Sequence, residues 1–416
     1  MTQRADRFSE VAAQTFVART CFKTGPPRAV GIELEWLLNH REDPRRRVTG
    51  ADLEAARGAA AHLRGSRLTV EPGGQVELSS EPFATSAACV DAVRADLNRF
   101  RAGLLESGLV ITGIGLDPRR GPRRILDQPR YAAMERYFDR RGSAGRVMMC
   151  STAAVQVNVD AGPAVPTPGQ VDLPTRWDLL HALIPVLVGA FANSPVLAGR
   201  PTGWRSTRQR VWGQIDPART ATAHRPGEDP RMSWARYALA APVMCIPDDT
   251  ADWLAPEHLT FRDWIRAPAA RRPGEAELAY HLTTLFPPVR ARGHLELRVI
   301  DAQRTDSDWV AAFALVTALV GDPVAADTAL EALGPVIGQQ WATVAARDGL
   351  RHPVLAKAAV RCFEAALDAL AATGFVGLRE ELGGFAARYP DRARCPADDT
   401  LAELVGPAKR PPEEAA

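Results

Sequence analysis

The nine residues VGIELEWLL, positions 30–38, place two glutamates inside an otherwise apolar run. Side chains alternate between the two faces of a β-strand, so Glu33 and Glu35 point to one face and the even-numbered apolar residues of 30–36 point to the other. The run therefore predicts a strand with one apolar and one acidic face. The acidic face meets either water or a ligand that needs carboxylates.

Three further segments repeat this alternation. Their polar residues are, in chain order, Gln75, Glu77 and Ser79, then Gln156, Asn158 and Asp160, then His294, Glu296 and Arg298. An antiparallel sheet with its polar face in water would explain any one of these strands. The alternative is a partly covered face that gathers oxygen ligands from four strands.

Electrostatics favours a ligand for the acidic face. Two carboxylates at positions i and i+2 of a strand lie about 7 Å apart and repel each other by roughly 2 kcal/mol at an effective dielectric constant near 20. Glu77 and Glu296 would add to this cost on a covered face. Hard divalent cations with oxygen ligands, above all Mg²⁺ shared with phosphate, relieve it. The pattern thus predicts a metal–nucleotide site.

Arginines supply the complementary charge. Arg298 lies one pleat from Glu296, where a guanidinium could hold a transferring phosphoryl group. In GWRSTRQRVW, positions 203–212, one of three arginines could grip a substrate carboxylate with two hydrogen bonds. For Arg208 and Arg210, a surface loop with packed arginine stems is an equally good explanation.

Composition and charge bear on the expected partners and on the cellular location. The chain has 416 residues, a net charge of +2 and only three lysines, so its cations are almost all arginine. The basic clusters at 41–48 and 118–124 are expected to be solvated loops, and neither nucleic acid nor a membrane is an expected partner. Six scattered cysteines without a CxxC pair indicate a reducing compartment. With no apolar leader at the N-terminus, a cytoplasmic protein is expected.

The pattern along the chain predicts an α+β fold, a curved antiparallel sheet with flanking helices and a helical C-terminal region. Expected strands cover 29–38, 66–80 with a turn at PGG, 108–117, 147–160 and 293–303. Expected helices cover 1–22, 85–107, 130–141, 176–192 and most of 307–385. We expect one catalytic domain, 1–390, with the motif-bearing sheet within 25–305, and a tail at 391–416. No Walker A, GxSxG or HExxH motif is present.

The ordered motifs identify a family. They are GIELEWLL, EPGGQVELSS, GIGLDPRRGPRR, PRYAAMERYF, MMCSTAAVQVNVD, NSPVLAGRPTGWRSTRQRVW and GHLELRVIDAQ. In this order, over roughly 25–305, the chain resembles the plant and bacterial branch of the glutamate–cysteine ligase family, in particular its actinobacterial members that open ergothioneine synthesis. The C-terminal helices resemble that family only in general character.

The resemblance implies a glutamine-synthetase-like sheet whose concave face binds ATP and Mg²⁺. It also implies a reaction that joins the γ-carboxylate of L-glutamate to the amine of L-cysteine through γ-glutamyl phosphate. By motif position, Arg298 and Glu296 would be catalytic, with Arg298 steadying the γ-phosphoryl group, and Arg205 would hold the α-carboxylate of glutamate. Tyr131 and Thr152 would contact substrate. The implied metal ligands are Glu33, Glu35, Glu77, Gln156 and Glu296.

Two alternatives remain open at this stage. A related carboxylate–amine ligase with a different amine acceptor would carry the same phosphoryl-transfer motifs. A non-catalytic homologue that binds nucleotide or an amino acid would be favoured by the loss of a site carboxylate, and every expected acidic position is filled. The oligomeric state is not encoded in any of these motifs, and a monomer is compatible with them.

Overall fold

Nine strands are present in the part of the chain that the structure describes. The structure is a computed structural model, and it describes residues 8–24, 28–249, 252–267 and 272–405. The strands are β1 Val30–His40, β2 Ser66–Val70, β3 Val76–Ser80, β4 Leu109–Thr112, β5 Ala154–Val159, β6 Val196–Leu197, β7 Arg200–Pro201, β8 Val289–Ala291 and β9 Leu295–Asp301.

One seven-stranded antiparallel sheet organises the fold. Its strand order is β2–β3–β1–β5–β9–β8, and β4 pairs with the C-terminal half of β1. Strands β6 and β7 form a separate two-stranded ribbon. The long strand β1 is therefore the centre of the sheet, with three strands hydrogen-bonded to it.

Helices surround this sheet and make up most of the C-terminal region. Eighteen α-helices lie within the described ranges: α1 Glu10–Cys21, α2 Gly50–Ala59, α3 Ser86–Glu106, α4 Pro129–Asp139, α5 Ala144–Ser151, α6 Leu173–Ala182, α7 Ile184–Ala190, α8 Thr207–Trp212, α9 Pro217–Thr220, α10 Pro230–Ala240, α11 Phe261–Arg266, α12 Glu275–Leu282, α13 Asp306–Gly321, α14 Pro323–Leu333, α15 Gln339–Asp348, α16 Pro353–Thr373, α17 Val376–Arg388 and α18 Pro396–Val405.

Strand register brings the polar side chains of the sheet together. In β1, Glu35 pairs with Glu77 of β3, and Glu33 pairs with Gln156 of β5. Across the next ladder Asn158 pairs with Glu296 of β9. Because paired residues point to the same face of a sheet, the polar faces predicted for four separate strands form one continuous surface.

The opposite face of the sheet is apolar and lies in the main core. Ile32, Leu34 and Trp36 are buried there, and α3, α7 and α13 pack nearby. Helix α13 is apolar on all sides, and every residue from Asp308 to Val320 is buried, as expected for a helix enclosed by others. No single helix in the described ranges is long and apolar enough to cross a membrane; Asp306–Gly321 and Pro323–Val336 pass that test only as a pair bent by 106°.

The α+β architecture predicted from the sequence is confirmed, and several boundaries are corrected. The strand expected over 147–160 is wrong in its first half, because 147–150 belongs to α5. Methionine favours helix, and Gly145 lets this helix pack against Phe138: a Cβ on Gly145 would lie 2.1 Å from Cβ of Phe138. The strand expected over 108–117 is limited to β4. Strand β8 was not predicted.

The segment expected to be a tail is partly folded. Within 391–416, helix α18 covers 396–405, and residues 406–416 lie outside the described residues. Thr400 and Ala397 of α18 are buried, so this helix belongs to the packed structure. At the other end of the chain, α1 begins at Glu10, capped by the Ser9 side chain, and residues 1–7 of the helix expected at 1–22 are outside the described ranges.

We predict that Gly73→Ala destabilises the protein and displaces the turn between β2 and β3. A Cβ at Gly73 would lie 2.2 Å from the backbone oxygen of Cys150, so the backbone must shift. The expected cost is about 1–3 kcal/mol. Thermal unfolding of the variant checks this. Gly58→Ala is the matched control, since its Cβ would meet nothing within 4 Å and alanine favours its helix; equal melting temperatures for the two variants would contradict the prediction.

Candidate active site

A cavity of about 250 Å³ lies on the polar face of the sheet. Strands β1, β3, β5, β8 and β9 form its floor, and α4, α5 and α8 contribute side chains to its walls. Its lining includes the acidic residues Glu33, Glu35, Glu71 and Glu77, the basic residues Arg130, Arg290, Arg292 and Arg298, and the apolar residues Tyr131, Met134, Met148, Met149, Trp212 and Phe286. Acidic, basic and apolar groups thus share one enclosed space.

The four lining glutamates have no cationic partner. Within the described residues none of them forms an ion pair. They accept hydrogen bonds from neutral side chains instead: Glu33 from Asn158 Nδ2 at 3.0 Å, and Glu35 from Gln156 Nε2 at 2.9 Å. Glu77 accepts from Thr69 Oγ1 at 2.8 Å. This network orients Glu33, Glu35 and Glu77 without pairing them directly with a cation.

Burial and mutual repulsion disfavour ionisation of these groups. Burial is the main cause that raises the pKa of Glu33, Glu35 and Glu71 to about 7. Neighbouring carboxylates add to it, Glu296 at Glu33, Glu71 at Glu35 and Glu77 at Glu71. The pKa of Glu77 is raised for the same reasons. A bound cation would remove this penalty.

The arginines gather around Glu296. Its fully buried carboxylate accepts from Arg290 through Nε at 2.5 Å and Nη2 at 2.9 Å, and from Arg298 Nη1 at 3.0 Å. Arg292 lies further out, at 3.4 Å. Burial alone would raise the pKa of Glu296, but the charges of Arg290 and Arg298 outweigh it and hold that pKa well below its usual range. This end of the cavity is therefore net positive.

The predicted metal ligands fall into two groups. Glu33, Glu35 and Glu77 lie together with free carboxylate lone pairs. Gln156 instead uses both ends of its amide, since Oε1 accepts from Arg298 and Nε2 donates to Glu35 and, at 3.4 Å, to Glu77. It links the acidic group to the basic group. Both oxygens of Glu296 are likewise engaged by arginines.

The acidic group fits a magnesium ion. Oriented carboxylate oxygens without a cationic partner are the ligands that Mg²⁺ prefers. Within the described residues, the possible ligand atoms that lie within 4.8 Å of one another are one oxygen of Glu33, one oxygen of Glu296 and one ring nitrogen of His294, whereas Glu33, Glu35 and Glu77 do not form such a group. The individual ligand assignments stay predictions.

The substrate residues predicted from the sequence are only partly in the cavity. Arg298, Tyr131 and Thr152 line it. The Thr152 hydroxyl donates to the backbone of Met148 at 2.7 Å, and burial, followed by the charge of Glu71, raises the pKa of Tyr131. Arg205 lies elsewhere: it does not line the cavity, and its guanidinium forms an ion pair with Asp398 at 3.0 Å.

Arg208 is the arginine of the 203–212 segment whose charge reaches the site. It is 2% exposed, it stacks over the lining residue Trp212 at 4.6 Å, and its charge lowers the pKa of Glu35 against the raising effect of burial. Its Nη2 donates to the backbone oxygen of Arg298 at 2.9 Å, while Nε and Nη1 have no hydrogen-bond partner in the described structure. Nη1 lies 3.7 Å from Asp301 Oδ1, and Arg208, like Arg205, is not among the residues that line the cavity.

Sequence reasoning missed three lining residues with charge. Glu71 opens the EPGG motif but falls outside the alternation of β3, so the period of two did not mark it. Arg290 and Arg292 precede Gly293, whose φ of +85° closes a tight hairpin to β9. Alternation in VRARGHLELR could have identified that hairpin.

We predict that the metal-free protein loses stability as the pH rises. Glu33, Glu35 and Glu71 have native pKa values of about 7 against 4.5 in the unfolded chain, so the native state binds more protons between these values. The contribution of these three groups to the free energy of unfolding is therefore largest below pH 4.5. It decreases as the pH rises to 7, by at most about 3 kcal/mol for each carboxylate.

Melting temperatures measured from pH 5 to 8, without divalent cations, check this. Glu71→Gln should flatten the decline, whereas the exposed Glu364→Gln should not, because Glu364 pairs with Arg361 at the surface. A profile that rises from pH 5 to 8 in the native protein would contradict the prediction.

Comparison with known proteins identifies the family of the chain. Residues 29–405 match the glutamate–cysteine ligase family 2 (GCS2). The glutamate–cysteine ligase EgtA of Mycolicibacterium smegmatis is 42% identical over 404 residues, which cover 94% of this chain and 91% of that protein. A chloroplastic glutamate–cysteine ligase of Medicago truncatula is 32% identical over 242 residues, 56% of this chain and 46% of that protein.

A solved structure shares the fold. A bifunctional glutathione synthetase from Pasteurella multocida has a TM-score of 0.51 at 14% identity, and the match covers 96% of this chain and 52% of that one. At this identity the similarity concerns the fold alone. The family match extends over nearly the whole described chain, and the family predicted from the sequence motifs is confirmed. The chain belongs to glutamate–cysteine ligase family 2.

Proposed function

We propose that this protein is an ATP-dependent glutamate–cysteine ligase that forms γ-glutamylcysteine. The observation that carries the proposal is the division of one cavity into four glutamates that form no ion pair within the described residues and a cluster of arginines. Mg²⁺–ATP presents the complementary charges, with cations for the carboxylates and phosphate oxygens for the guanidinium groups. Family membership and the EgtA relative support this activity.

Magnesium would be held by Glu33, Glu35 and Glu77, with Glu71 close by. When bound there, it would neutralise the triphosphate and the surrounding carboxylates. Arg298 would face the γ-phosphoryl group, since its Nε has no partner in the described structure although the group is buried. Its charge is fixed, because Glu296 anchors the guanidinium at 3.0 Å.

The reaction then proceeds by positioning and charge stabilisation. An oxygen of the glutamate γ-carboxylate attacks the γ-phosphorus of ATP, the bond to the β-phosphate oxygen breaks, and ADP leaves. The cysteine amine attacks the acyl carbon of γ-glutamyl phosphate, loses a proton, and releases inorganic phosphate. Arg298 stabilises charge on the transferred group in both steps, and no protein nucleophile is required.

The apolar wall suits a small sulfur-containing acceptor. Met134, Met148 and Met149 lie in the lining with Trp212 and Phe286. Aromatic rings make favourable contacts with sulfur, and methionine adapts its shape to small groups. Other small amines would also fit, so a different acceptor remains the second candidate. Use of the product in ergothioneine synthesis is part of this proposal, while the cytoplasmic location and the absence of membrane and nucleic-acid partners stay predictions.

For the α-carboxylate of glutamate we propose Arg208 in place of Arg205. Arg205 is paired with Asp398 at 3.0 Å, whereas Arg208 is buried beside the cavity with a longer contact to Asp301, 3.7 Å from Nη1, and with no hydrogen-bond partner in the described structure for Nε or Nη1. Each of these two nitrogens could donate a hydrogen bond to a carboxylate oxygen. The contact with Trp212 places that guanidinium directly behind the cavity wall.

The proposed activity predicts phosphate release from Mg²⁺–ATP only when glutamate and cysteine are both present, with γ-glutamylcysteine identified by mass. Glu35→Gln should retain the fold and lose turnover by about 100-fold or more, because a metal-facing charge is lost. Circular dichroism of this variant serves as the folding control.

Each other result would revise the proposal. Turnover with glutamate and 2-aminobutyrate or another amine, but not with cysteine, would keep the mechanism and change the acceptor. A folded protein that binds ATP and shows no turnover with any amine would favour a non-catalytic homologue. Normal turnover by Glu35→Gln would contradict the metal assignment.

We predict that replacement by lysine has different effects at Arg208 and at Arg205. Arg208→Lys should raise the KM for glutamate by about 10-fold or more, because lysine cannot reproduce a two-bond contact, and leave the KM for ATP nearly unchanged. Arg205→Lys keeps a cation for Asp398 and should change either KM by at most about 2-fold. Steady-state kinetics with each substrate varied in turn decide between them. The reverse order of effects would restore Arg205 as the substrate residue.

A further inference from the structure

Helix α18 is joined to the site by buried hydrogen bonds, although it lies at the end of the described chain. Thr400 Oγ1 donates to Asn193 Oδ1 at 2.6 Å, and the backbone nitrogen of Ala397 donates to the backbone oxygen of Ala192 at 2.8 Å. Thr400 is 5% exposed and Asn193 is fully buried. The contact is thus shielded from water, where a hydrogen bond has its greatest structural effect.

Asn193 in turn holds the end of strand β9. Its backbone nitrogen donates to Asp301 Oδ2 at 2.8 Å, and its side-chain Nδ2 donates to the backbone oxygens of Ala302, at 2.7 Å, and Gly113, at 3.1 Å. The backbone nitrogen and the side-chain Nδ2 of Asn193 thus donate three hydrogen bonds. Its Oδ1 accepts the fourth, from Thr400. Thr400 of α18 therefore completes the hydrogen bonds that hold the Asn193 side chain against Ala302 and Gly113.

Asp301 connects this network to Arg208. Ser194 Oγ donates to Asp301 at 2.7 Å, Ser206 Oγ donates to it at 3.0 Å, and Arg208 Nη1 lies 3.7 Å from Asp301 Oδ1. Ser194 Oγ also accepts from the backbone nitrogen of Arg208 at 3.1 Å. Asp301 therefore contacts both the Asn193 backbone and Ser194, which binds the backbone nitrogen of Arg208, and lies close to the Arg208 guanidinium.

A second connection runs along the outside of the same helix. Asp398 of α18 pairs with Arg205 at 3.0 Å and with Arg351 at 2.9 Å. Arg205 is three residues before Arg208, and the backbone nitrogens of Arg205 and Ser206 donate to Ala346. The residue that sequence motifs suggested as a substrate ligand therefore ties the start of α8 to α18.

From these contacts we propose that Thr400 and Asp398 are positioning residues for Arg208, so that the affinity for glutamate depends on helix α18. The proposal rests on the proposed function, in which Arg208 binds the α-carboxylate. It assigns a role in substrate binding to a segment outside the motif-bearing part of the chain.

Thr400→Val tests this, because valine has nearly the same shape and lacks the hydroxyl. Loss of one buried hydrogen bond should raise the KM for glutamate by about 5- to 10-fold while the KM for ATP stays within about 2-fold. Thr400→Ser keeps the donor and should restore the KM for glutamate. Calorimetric titration of glutamate into the nucleotide-free protein should show the same ranking of the three proteins.

A double-mutant cycle separates positioning from general loss of stability. If Thr400 acts through Arg208, the effects of Thr400→Val and Arg208→Lys on glutamate affinity should be less than additive. Asp398→Asn is the second variant, for use if Thr400→Val does not fold, and it should also raise the KM for glutamate selectively. The surface variant Glu364→Gln is the control and should leave both KM values unchanged.

Failure of the positioning role and failure of the proposed function give different experimental results. A native protein that neither turns over nor binds glutamate refutes the proposed function. A native protein that does both, together with an unchanged KM for glutamate in Thr400→Val and Asp398→Asn, overturns the positioning role alone. Equal loss of affinity for glutamate and ATP, or fully additive effects with Arg208→Lys, would also overturn it, because a purely structural helix acts on both substrates alike.

Discussion

The mutual repulsion of carboxylates on the central strand is the constraint on which the rest of the structure depends. Glu33 and Glu35 of β1 face a partly closed cavity, with Glu77 paired directly across from Glu35. The apolar face of β1 lies in the main core, so the strand cannot shift register to expose these groups without exposing Ile32, Leu34 and Trp36. Core packing thus forces the charges together, and the surrounding amides and hydroxyls orient them.

The basic end of the cavity contains a glutamate whose charge is compensated by arginines. Glu296 lies on the same surface, yet three arginines neutralise it, and the charge of Arg298 is thereby held in place. Gln156 joins the two ends, since one amide contacts both Arg298 and Glu35. The result is a strong separation of charge across a short distance, and an amide at this position satisfies both ends because it is at once a donor and an acceptor.

The sequence was most informative where a strand had one buried face. Alternation in β1, β3, β5 and β9 located most of the acidic and amide residues, because a period of two is a direct consequence of strand geometry. Segment 147–150 was misassigned because a short apolar run has no period that separates strand from helix. Glu71 follows β2 at a turn, and its approach to the cavity depends on how that turn packs against Cys150.

Choosing among Arg205, Arg208 and Arg210 required long-range contacts. Arg205 precedes α8 and pairs with Asp398, whereas Arg208 stacks over Trp212 and Arg210 over Trp204. The orientation of α8 is fixed by bonds to β9, such as that from Gln209 Nε2 to the backbone oxygen of Val299 at 2.7 Å. Nothing in the local sequence encodes that contact. The same applies to α18, whose link to Asn193 spans 207 positions.

The hairpin of β8 and β9 makes the basic end of the cavity unusually sensitive to chain length. Arg290 pairs with Glu296 across the ladder, and the turn at Gly293 is so short that it fixes the register of the two strands. One inserted or deleted residue in this turn would shift the register by one and move Arg290 and Arg292 to the opposite face of the sheet. Natural variation in length should therefore be tolerated in surface loops of this fold and excluded from residues 291–294, even where no side chain of that turn contacts a substrate.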